Sequence, residues 1–132
     1  MSTVNSSLKR HAKCLHGRKI IILDDIPELA ELFRKALELS GLEVVMVAHT
    51  GEELLEKLSR IMIKIDFALM DYTIDGGHLN GLETAVLVHK KEPEIRIVMA
   101  SANDSIEQES IACGFSFLKK PIGIGELLDA LS

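Results

Sequence analysis

Short, mainly apolar runs alternate along the chain with longer segments whose apolar residues recur at helical spacing. Continuous runs of branched apolar residues are typical of strands that are buried on both faces. Such runs predict five strands, at 19–23, 42–47, 65–70, 95–100 and 115–118. A helical segment follows each run, so the pattern predicts a strand-helix unit repeated five times.

Residues that cap or break helices predict where these helices begin and end. They are Pro27 and Ser40-Gly41 for the first helix, Thr50 and Glu53 for the second, Asn80 and Glu83 for the third, Gly114 after a sparser fourth helix over 103–113, and Gly123 for the last. Apolar positions at helical spacing then predict the sides that face the sheet. They are Leu29, Leu32, Phe33, Ala36 and Leu37; Leu54, Leu55 and Leu58; Leu82, Ala85 and Val86, with His89 as a further candidate; and Leu127, Leu128 and Leu131.

This alternation predicts an α/β fold in which a doubly wound, five-stranded parallel sheet carries helices on both faces. Crossovers between parallel strands are almost always right-handed, and all five strands then point their carboxyl ends to the same edge. Ligands of open sheets bind outside that edge, so we expect the functional residues there.

Length, composition and charge limit the classes of protein to which the chain could belong. The chain has 132 residues, 47% hydrophobic and 27% charged, as expected for one globular domain. A formal net charge of −5 argues against general affinity for nucleic acid or anionic membrane, and no apolar run has the length of a membrane span. Residues 1–17 are polar and basic without a signal-peptide core. We therefore expect a flexible leader over 1–17, a domain over 18–132 and a cytoplasmic location.

The two cysteines, Cys14 and Cys113, lack the spacing of a metal site, and we expect both to be reduced thiols. Cys14 together with His11 and His16 could bind a metal weakly. A solvated tail is the simpler interpretation.

Charged and hydroxyl side chains stand where the predicted strands end. They are Asp24 and Asp25 after the first strand, Asp71 after the third, Ser101 after the fourth, and Lys119 and Lys120, followed by Pro121, after the fifth. Three ionised carboxylates at one edge repel each other, and a divalent cation relieves that repulsion. Mg²⁺ prefers hard oxygen ligands. We expect Asp25 and Asp71 to be direct ligands, and Asp24 to act through water or to orient them.

An aspartate carboxylate can also act as a nucleophile toward phosphorus and form an aspartyl phosphate. Asp71 is the predicted acceptor, with Lys120 paired to one phosphoryl oxygen and Ser101 hydrogen-bonded to another. Lys119 competes with Lys120, but neighbouring strand residues face opposite sides, so only one of them enters the pocket and we favour Lys120. Contacts made only in the phosphorylated state would carry a signal.

Four motifs, ILDD (22–25), FALMD (67–71), VMAS (98–101) and FLKKP (117–121), make the chain similar over 18–132 to the receiver domain of two-component response regulators. The resemblance implies a flavodoxin-like sheet of order 2-1-3-4-5. It also implies residue roles: Asp71 as phospho-acceptor, Asp24 and Asp25 as the acid pair that holds Mg²⁺ or Mn²⁺, Thr73 as a backbone carbonyl ligand, Lys120 as the family's lysine, Ser101 as the hydroxyl switch and Phe117 as the aromatic switch.

Partners follow from the same resemblance. The donor would be a phosphohistidine on a histidine kinase or histidine phosphotransfer protein, and the downstream partner an unknown protein. The chain would be a monomer or weak homodimer and a signalling domain, an enzyme only in assisting its own phosphorylation and dephosphorylation. Thr73 and Asn103 would flank the hydrolytic water, and the peptide bond that precedes Pro121 is often cis in this family.

The loop after Asp71 departs from the family. Residues 72–81 read YTIDGGHLNG, without the usual Met-Pro turn, and the loop is longer by about two residues, which surface loops tolerate. Asp75 or His78 could lean toward the phosphoryl group, or the loop could simply be solvated. Phe117 could equally be a core aromatic.

Three alternatives stay open. A pseudo-receiver would be an interaction module without phosphorylation and would lack an acid or the lysine, whereas this chain has them all. The chain could also be the receiver fragment of a hybrid histidine kinase. An aspartate-nucleophile phosphatase would need a second acid two residues past Asp24, where Ile26 stands.

Overall fold

A five-stranded parallel sheet forms the centre of the computed structural model, which describes residues 15–132. Its strands are β1 (Lys19–Leu23), β2 (Glu43–Ala48), β3 (Phe67–Asp71), β4 (Arg96–Ser101) and β5 (Ser116–Lys119). They lie in the order β2-β1-β3-β4-β5 and pair in parallel throughout. The predicted fold class and strand order are therefore confirmed.

Helices cover both faces of this sheet. They are α1 (Pro27–Leu39), α2 (Gly51–Arg60), α3 (Gly81–Lys91), α4 (Glu107–Ala112), which follows a 3-10 turn at Asp104–Ile106, and α5 (Ile124–Leu131). Successive residues of β1 point to opposite sides, so Ile20 and Ile22 pack with α1 and α5 while Ile21 and Leu23 pack with α2 and α3. Two apolar layers thus enclose the sheet.

Four of the strands lie one or two residues further along the chain than predicted. The ladder between β3 and β4 continues to Asp71, which pairs with Ala100, and β4 continues to Ser101, which pairs with Lys119. Asp71 and Ser101 are therefore strand residues, held by sheet pairing on a rigid element.

The predicted inward stripe of α1 is wrong in part. Ala30 and Leu37 are the buried residues of this helix, whereas Leu32 is 65% exposed. Ala30 and Leu37 are seven residues apart, two helical turns, so they lie on the same side of the helix. Leu29, Phe33 and Ala36 lie round the side of the helix and are only half-buried.

The third helix needs a similar correction. Leu82 and Ala85 are buried as predicted, but the next inward residue is Val88, while Val86 is half-buried and His89 is exposed. The His89 ring instead meets the Phe115 ring edge-on, with centroids 5.7 Å apart. The inward positions are three residues apart, so a residue one step away from them turns toward the helix flank.

The predicted cap residues Thr50 and Asn80 are confirmed, but Glu53 departs from the predicted capping box, because its carboxylate accepts the N–H of His49, at 2.5 Å, one residue before the cap. The Thr50 hydroxyl accepts the Glu53 N–H at 3.1 Å, and the Asn80 side chain accepts the Glu83 N–H at 2.8 Å. The Glu83 carboxylate returns the contact by accepting the Asn80 N–H at 2.9 Å, which completes a capping box. These caps begin α2 and α3 at the edge where the strands end.

The boundary of the predicted leader differs from the structure at its last residues. Leu15 is only 3% exposed and packs with the layer that contains α1 and α5, and the Gly17 N–H donates to the Gly41 carbonyl at 2.8 Å. His11 and Cys14 lie outside the described residues, so the leader over 1–14 stays a prediction. Cys113 has a free, exposed thiol. Within residues 15–132, no helix has both the length and the apolar character needed to cross a membrane.

Gly81 brings α3 directly onto the backbone that follows Asp71. Its N–H donates to the Tyr72 carbonyl at 2.9 Å. A Cβ at this position would overlap the Asp71 carbonyl oxygen, far inside van der Waals distance. Only a residue without a side chain allows this approach.

Gly81→Ala should therefore force α3 away from the end of β3. We expect the free energy of unfolding to fall by about 2–3 kcal/mol in urea titrations, because backbone cannot move aside as a side chain can. Gly125→Ala is the matched control, since nothing lies within 4 Å of its Cβ position in α5. That variant should gain stability by roughly 0.5–1 kcal/mol from helix propensity. Equal stability of Gly81→Ala and wild type would contradict the close approach.

Candidate functional site

The strand order places the predicted site at the carboxyl edge, where β1 lies between β2 and β3. After β1 the chain forms β2 on one side of β1 and then β3 on the other, so the connecting helices lie on opposite faces of the sheet. A crevice therefore opens between these connections at the carboxyl ends of β1 and β3. Asp24 follows β1, Asp71 ends β3, Ser101 ends β4 and Lys120 follows β5. These residues therefore meet at the edge of the sheet.

Three carboxylates form the floor of the site. Asp24, Asp25 and Asp71 each offer an oxygen, and these oxygens lie within 4.8 Å of one another. Asp24 and Asp71 are buried, and Asp25 is half-buried. A set of hard carboxylate oxygens this close together fits a divalent cation such as Mg²⁺ or Mn²⁺ and does not suit soft metals.

Lys120 provides the positive charge of the site. Its Nζ lies 3.2 Å from Asp71 Oδ1 and 3.7 Å from Asp24 Oδ2, and its side chain is 20% exposed. Lys119 points elsewhere and pairs with Asp104 at 3.0 Å. Of the two candidate lysines, the structure brings only Lys120 to the acids. The peptide bond between Lys120 and Pro121 is cis.

Burial raises the pKa of the Asp71 carboxyl to about 6 from an ordinary value of 3.8. The Lys120 ammonium opposes this rise, while the charges of Asp24 and Asp25 add to it. Positive charge brought close to Asp71 would favour its ionised form, which is the form that attacks an electrophile.

Hydrogen bonds with neighbouring backbone groups hold Asp24 in place, together with one from His49, a residue that the sequence analysis did not predict. The Ile26 N–H donates to Asp24 Oδ1 at 2.9 Å, and the Asp24 N–H donates to Ala48 at 3.1 Å. His49 Nδ1 donates to the Asp24 carbonyl at 2.8 Å. His49 follows β2 directly, so its place as a polar residue after a strand was the signal that could have revealed it.

Ser101 is buried, and its hydroxyl oxygen accepts the Asn103 N–H at 3.0 Å. The Asn103 side chain in turn accepts the Ser105 N–H at 3.0 Å. The backbone carbonyl of Ser101 accepts the Lys120 N–H at 2.9 Å, which ties the ends of β4 and β5 together. The hydroxyl therefore stands in a short chain of local hydrogen bonds beside the site.

The two remaining candidates have different surroundings. Phe117 is half-buried and packs against the apolar layer that contains α2 and α3, so it contributes to the core. Thr73 is exposed, two residues past Asp71. Their roles as aromatic switch and as backbone metal ligand stay predictions.

The unusual loop meets the site through its backbone. The Asp75 N–H donates to Asp25 Oδ2 at 3.0 Å. The His78 N–H donates to Glu52 Oε2 at 2.6 Å, on the first turn of α2. The side chains of Asp75 and His78 are exposed. For Asp75 and His78 we predicted contacts through the side chains alone, so both backbone contacts were missed.

The raised pKa of Asp71 predicts a pH-dependent effect of replacing it. The Asp71 carboxyl binds its proton more tightly in the folded protein than in the unfolded chain. Ionisation of Asp71 therefore lowers the free energy of unfolding as the pH rises from about 4, and this loss reaches its full size above about pH 6. With chelator present at about pH 8, Asp71→Asn should raise the free energy of unfolding by about 1–2 kcal/mol. This figure is reduced by the loss of the ion pair between Asp71 and Lys120 in the variant. At about pH 4 the gain should shrink in the same urea titration.

Asp104→Asn is the matched control, because it makes the same change in an exposed ion pair. It should alter stability by no more than about 0.5 kcal/mol, without comparable growth between the two pH values. An Asp71→Asn variant no more stable than wild type at the higher pH would contradict the crowding of charge around Asp71.

Comparison with known proteins agrees with this geometry. The family model of the response regulator receiver domain matches residues 20–132. Chemotaxis protein CheY of Listeria monocytogenes is 28% identical over 116 residues, covering 86% of this chain and 94% of that protein. Nitrogen assimilation regulatory protein NtrX of Azorhizobium caulinodans is 27% identical over 112 residues, covering 83% of this chain. The chain spans only 24% of the length of NtrX.

Solved structures show the same fold. A CheY-like receiver domain protein from Methanospirillum hungatei superposes with a TM-score of 0.74 at 27% identity, covering 86% of this chain and 89% of that one. The CheX-CheY-BeF3-Mg²⁺ complex from Borrelia burgdorferi gives 0.78 at 21% identity, covering 88% of this chain and 87% of that one, a likeness of fold alone. The family match, the strand order and the acidic edge agree, and this chain belongs to the response regulator receiver domain family.

Proposed function

We propose that this chain accepts a phosphoryl group on Asp71 from a phosphohistidine of a histidine kinase or phosphotransfer protein, with Mg²⁺ in the acidic pocket. The phosphorylated form then signals through contact with a downstream protein. The observation that carries this proposal is the placement of the buried Asp71 carboxylate, with Lys120 Nζ at 3.2 Å and two further carboxylates beside it. A nucleophile, a cation and a metal-binding acid pair thus share one crevice.

The transfer makes one bond and breaks one bond. An Asp71 carboxylate oxygen attacks the phosphorus, and the bond between phosphorus and the imidazole nitrogen of the donor breaks as the new O–P bond forms. The electron pair of the broken bond stays on the imidazole. Asp25 and Asp71 would hold Mg²⁺ directly, with Asp24 acting through water or orienting them, and the cation would supply positive charge that offsets the charge of the phosphoryl oxygens. The Lys120 ammonium, already beside Asp71, neutralises a further oxygen.

The hydrogen bonds of the Ser101 hydroxyl would differ between the unphosphorylated and the phosphorylated state. Without a phosphoryl group its hydroxyl oxygen is engaged by the Asn103 N–H. The hydroxyl still has a proton to donate, and a phosphoryl oxygen on Asp71 would be a strong acceptor for it. We propose that this new bond draws the end of β4 toward Asp71 and that Phe117, on the neighbouring strand, repacks in response.

An apolar groove beside the site supports contact with a protein donor. It is lined by Leu29, Leu32, Phe33 and Ala36 of α1 and by Ala102, Lys120, Pro121, Ile122 and Ile124. Lys120 belongs to both the groove and the pocket, so a helix of the donor lying in the groove would bring its phosphohistidine to Asp71. The side of α1 that the core leaves partly exposed would then serve as a binding surface for the donor.

Phosphorylation tests the proposal directly. Intact protein incubated with Mg²⁺ and a small phosphodonor should gain one phosphoryl group by mass spectrometry, and chelator should abolish the gain. Asp71→Asn should gain none, because an amide is not a nucleophile at this site. An equal gain in Asp71→Asn would move the acceptor elsewhere. No gain in wild type would favour a pseudo-receiver, and steady turnover of free phosphate esters would favour a phosphatase.

The groove makes a separate prediction about the donor. Leu32→Glu should slow transfer from the kinase that performs best in phosphotransfer profiling by roughly tenfold, while transfer from a small phosphodonor stays unchanged. Leu39→Glu is the matched control, since Leu39 lies on the same helix, is 90% exposed and does not line the groove. Equal slowing by both variants, or equal slowing with both donors, would contradict docking in the groove.

A further inference from the structure

The loop between β3 and α3 is held at two carboxylates that belong to different parts of the fold. At one end the Asp75 N–H donates to Asp25 Oδ2 at 3.0 Å. At the other end the His78 N–H donates to Glu52 Oε2 at 2.6 Å. Only Gly76 and Gly77 lie between the two donors, so the position of one amide constrains the other.

Glycines let the loop lie against the first turn of α2. Gly77 has φ +76°, in the left-handed region, and a Cβ there would lie 2.5 Å from Glu52 Oε1. A Cβ at Gly76 would lie 3.1 Å from the Thr50 methyl group. The path of the loop is therefore built around the Glu52 carboxylate, which remains at the surface.

Charge and hydrogen bonding make Glu52 a strong anchor. Backbone N–H groups, with that of His78 foremost, hold the pKa of Glu52 below its usual range, so the carboxylate is ionised at neutral pH. Hydrogen bonds from neutral N–H groups to an ionised acceptor are stronger than those between neutral groups. Glu52 therefore holds the loop through an ionised acceptor.

We propose that Glu52 is a positioning residue of the acidic pocket, which holds the loop so that the Asp75 N–H fixes the Asp25 carboxylate among the three acids. This role rests on the proposed metal-binding function of Asp25 and deepens it. A hydrogen bond to one oxygen of a ligating carboxylate orients the other and improves metal binding, as outer partners of metal ligands do. The longer loop thereby becomes part of the metal site.

The test uses Glu52→Ala and Glu52→Gln in the full chain. The Mg²⁺ dissociation constant is measured by fluorescence of Tyr72, the single tyrosine of a chain without tryptophan, next to Asp71. Glu52→Ala should raise this constant about three- to tenfold, below the range for direct partners of a ligand. Glu52→Gln keeps an acceptor oxygen and should recover most of the affinity. Glu56→Ala, one turn further along α2 in an ion pair with Arg60, should leave it unchanged.

A second measurement needs no metal. Amide hydrogen exchange by NMR in chelator should show faster exchange of both the His78 and the Asp75 amides in Glu52→Ala, because freeing one end of the loop frees the other. A purely local role would release His78 alone. Gly77→Ala breaks the same contact from the loop side and should reproduce both effects, so the test holds if one variant folds poorly.

Unchanged or tighter Mg²⁺ binding in Glu52→Ala, or an Asp75 amide that stays protected, would overturn the role of Glu52. Failure of the proposed function has a different signature. In that case wild type itself shows no response to Mg²⁺, while the exchange of the Asp75 and His78 amides still reports whether Glu52 holds the loop.

Discussion

The whole site depends on the crowding of three carboxylates around one lysine at a buried edge of the sheet. Asp24 and Asp71 are almost without solvent, and Asp25 stands beside them. Lys120 offsets only part of this negative charge, and the pKa of Asp71 stays raised to about 6. Such an arrangement favours whatever brings positive charge, and the divalent cation that we propose for this pocket would do so.

Rigid elements maintain this unfavourable arrangement. Sheet pairing holds Asp71 and Ser101, while Gly81 sets α3 on the backbone just past Asp71. At the end of β2, the Ala48 carbonyl accepts the Asp24 N–H and the His49 ring donates to the Asp24 carbonyl. These two hydrogen bonds hold the backbone of Asp24 in place. Because the backbone of the site is fixed on several sides, the acids cannot move apart to reduce their repulsion, and the proposed cation would reduce it instead.

The strands and the principal site residues could be predicted because both follow short-range rules. Buried parallel strands are apolar throughout, and residues that end them must meet at one edge, which was enough to bring Asp24, Asp71 and Lys120 together. The inward side of α1 could not be predicted, since five apolar residues span more than one face and only packing shows that Ala30 and Leu37 are buried. The contacts of Asp75 and His78 use backbone N–H groups, which every residue but proline carries, so the residue types gave no signal.

The most direct measurement of the central claim is the pKa of the Asp71 carboxyl, followed by carbon NMR with the Asp71→Asn spectrum as assignment control. Without metal the carboxyl should titrate near 6. With saturating Mg²⁺ its pKa should fall well below that value, because the cation favours the ionised form. A metal-free pKa near the ordinary 3.8, or a raised pKa that Mg²⁺ leaves unchanged, would contradict the account of a crowded acidic pocket completed by a cation.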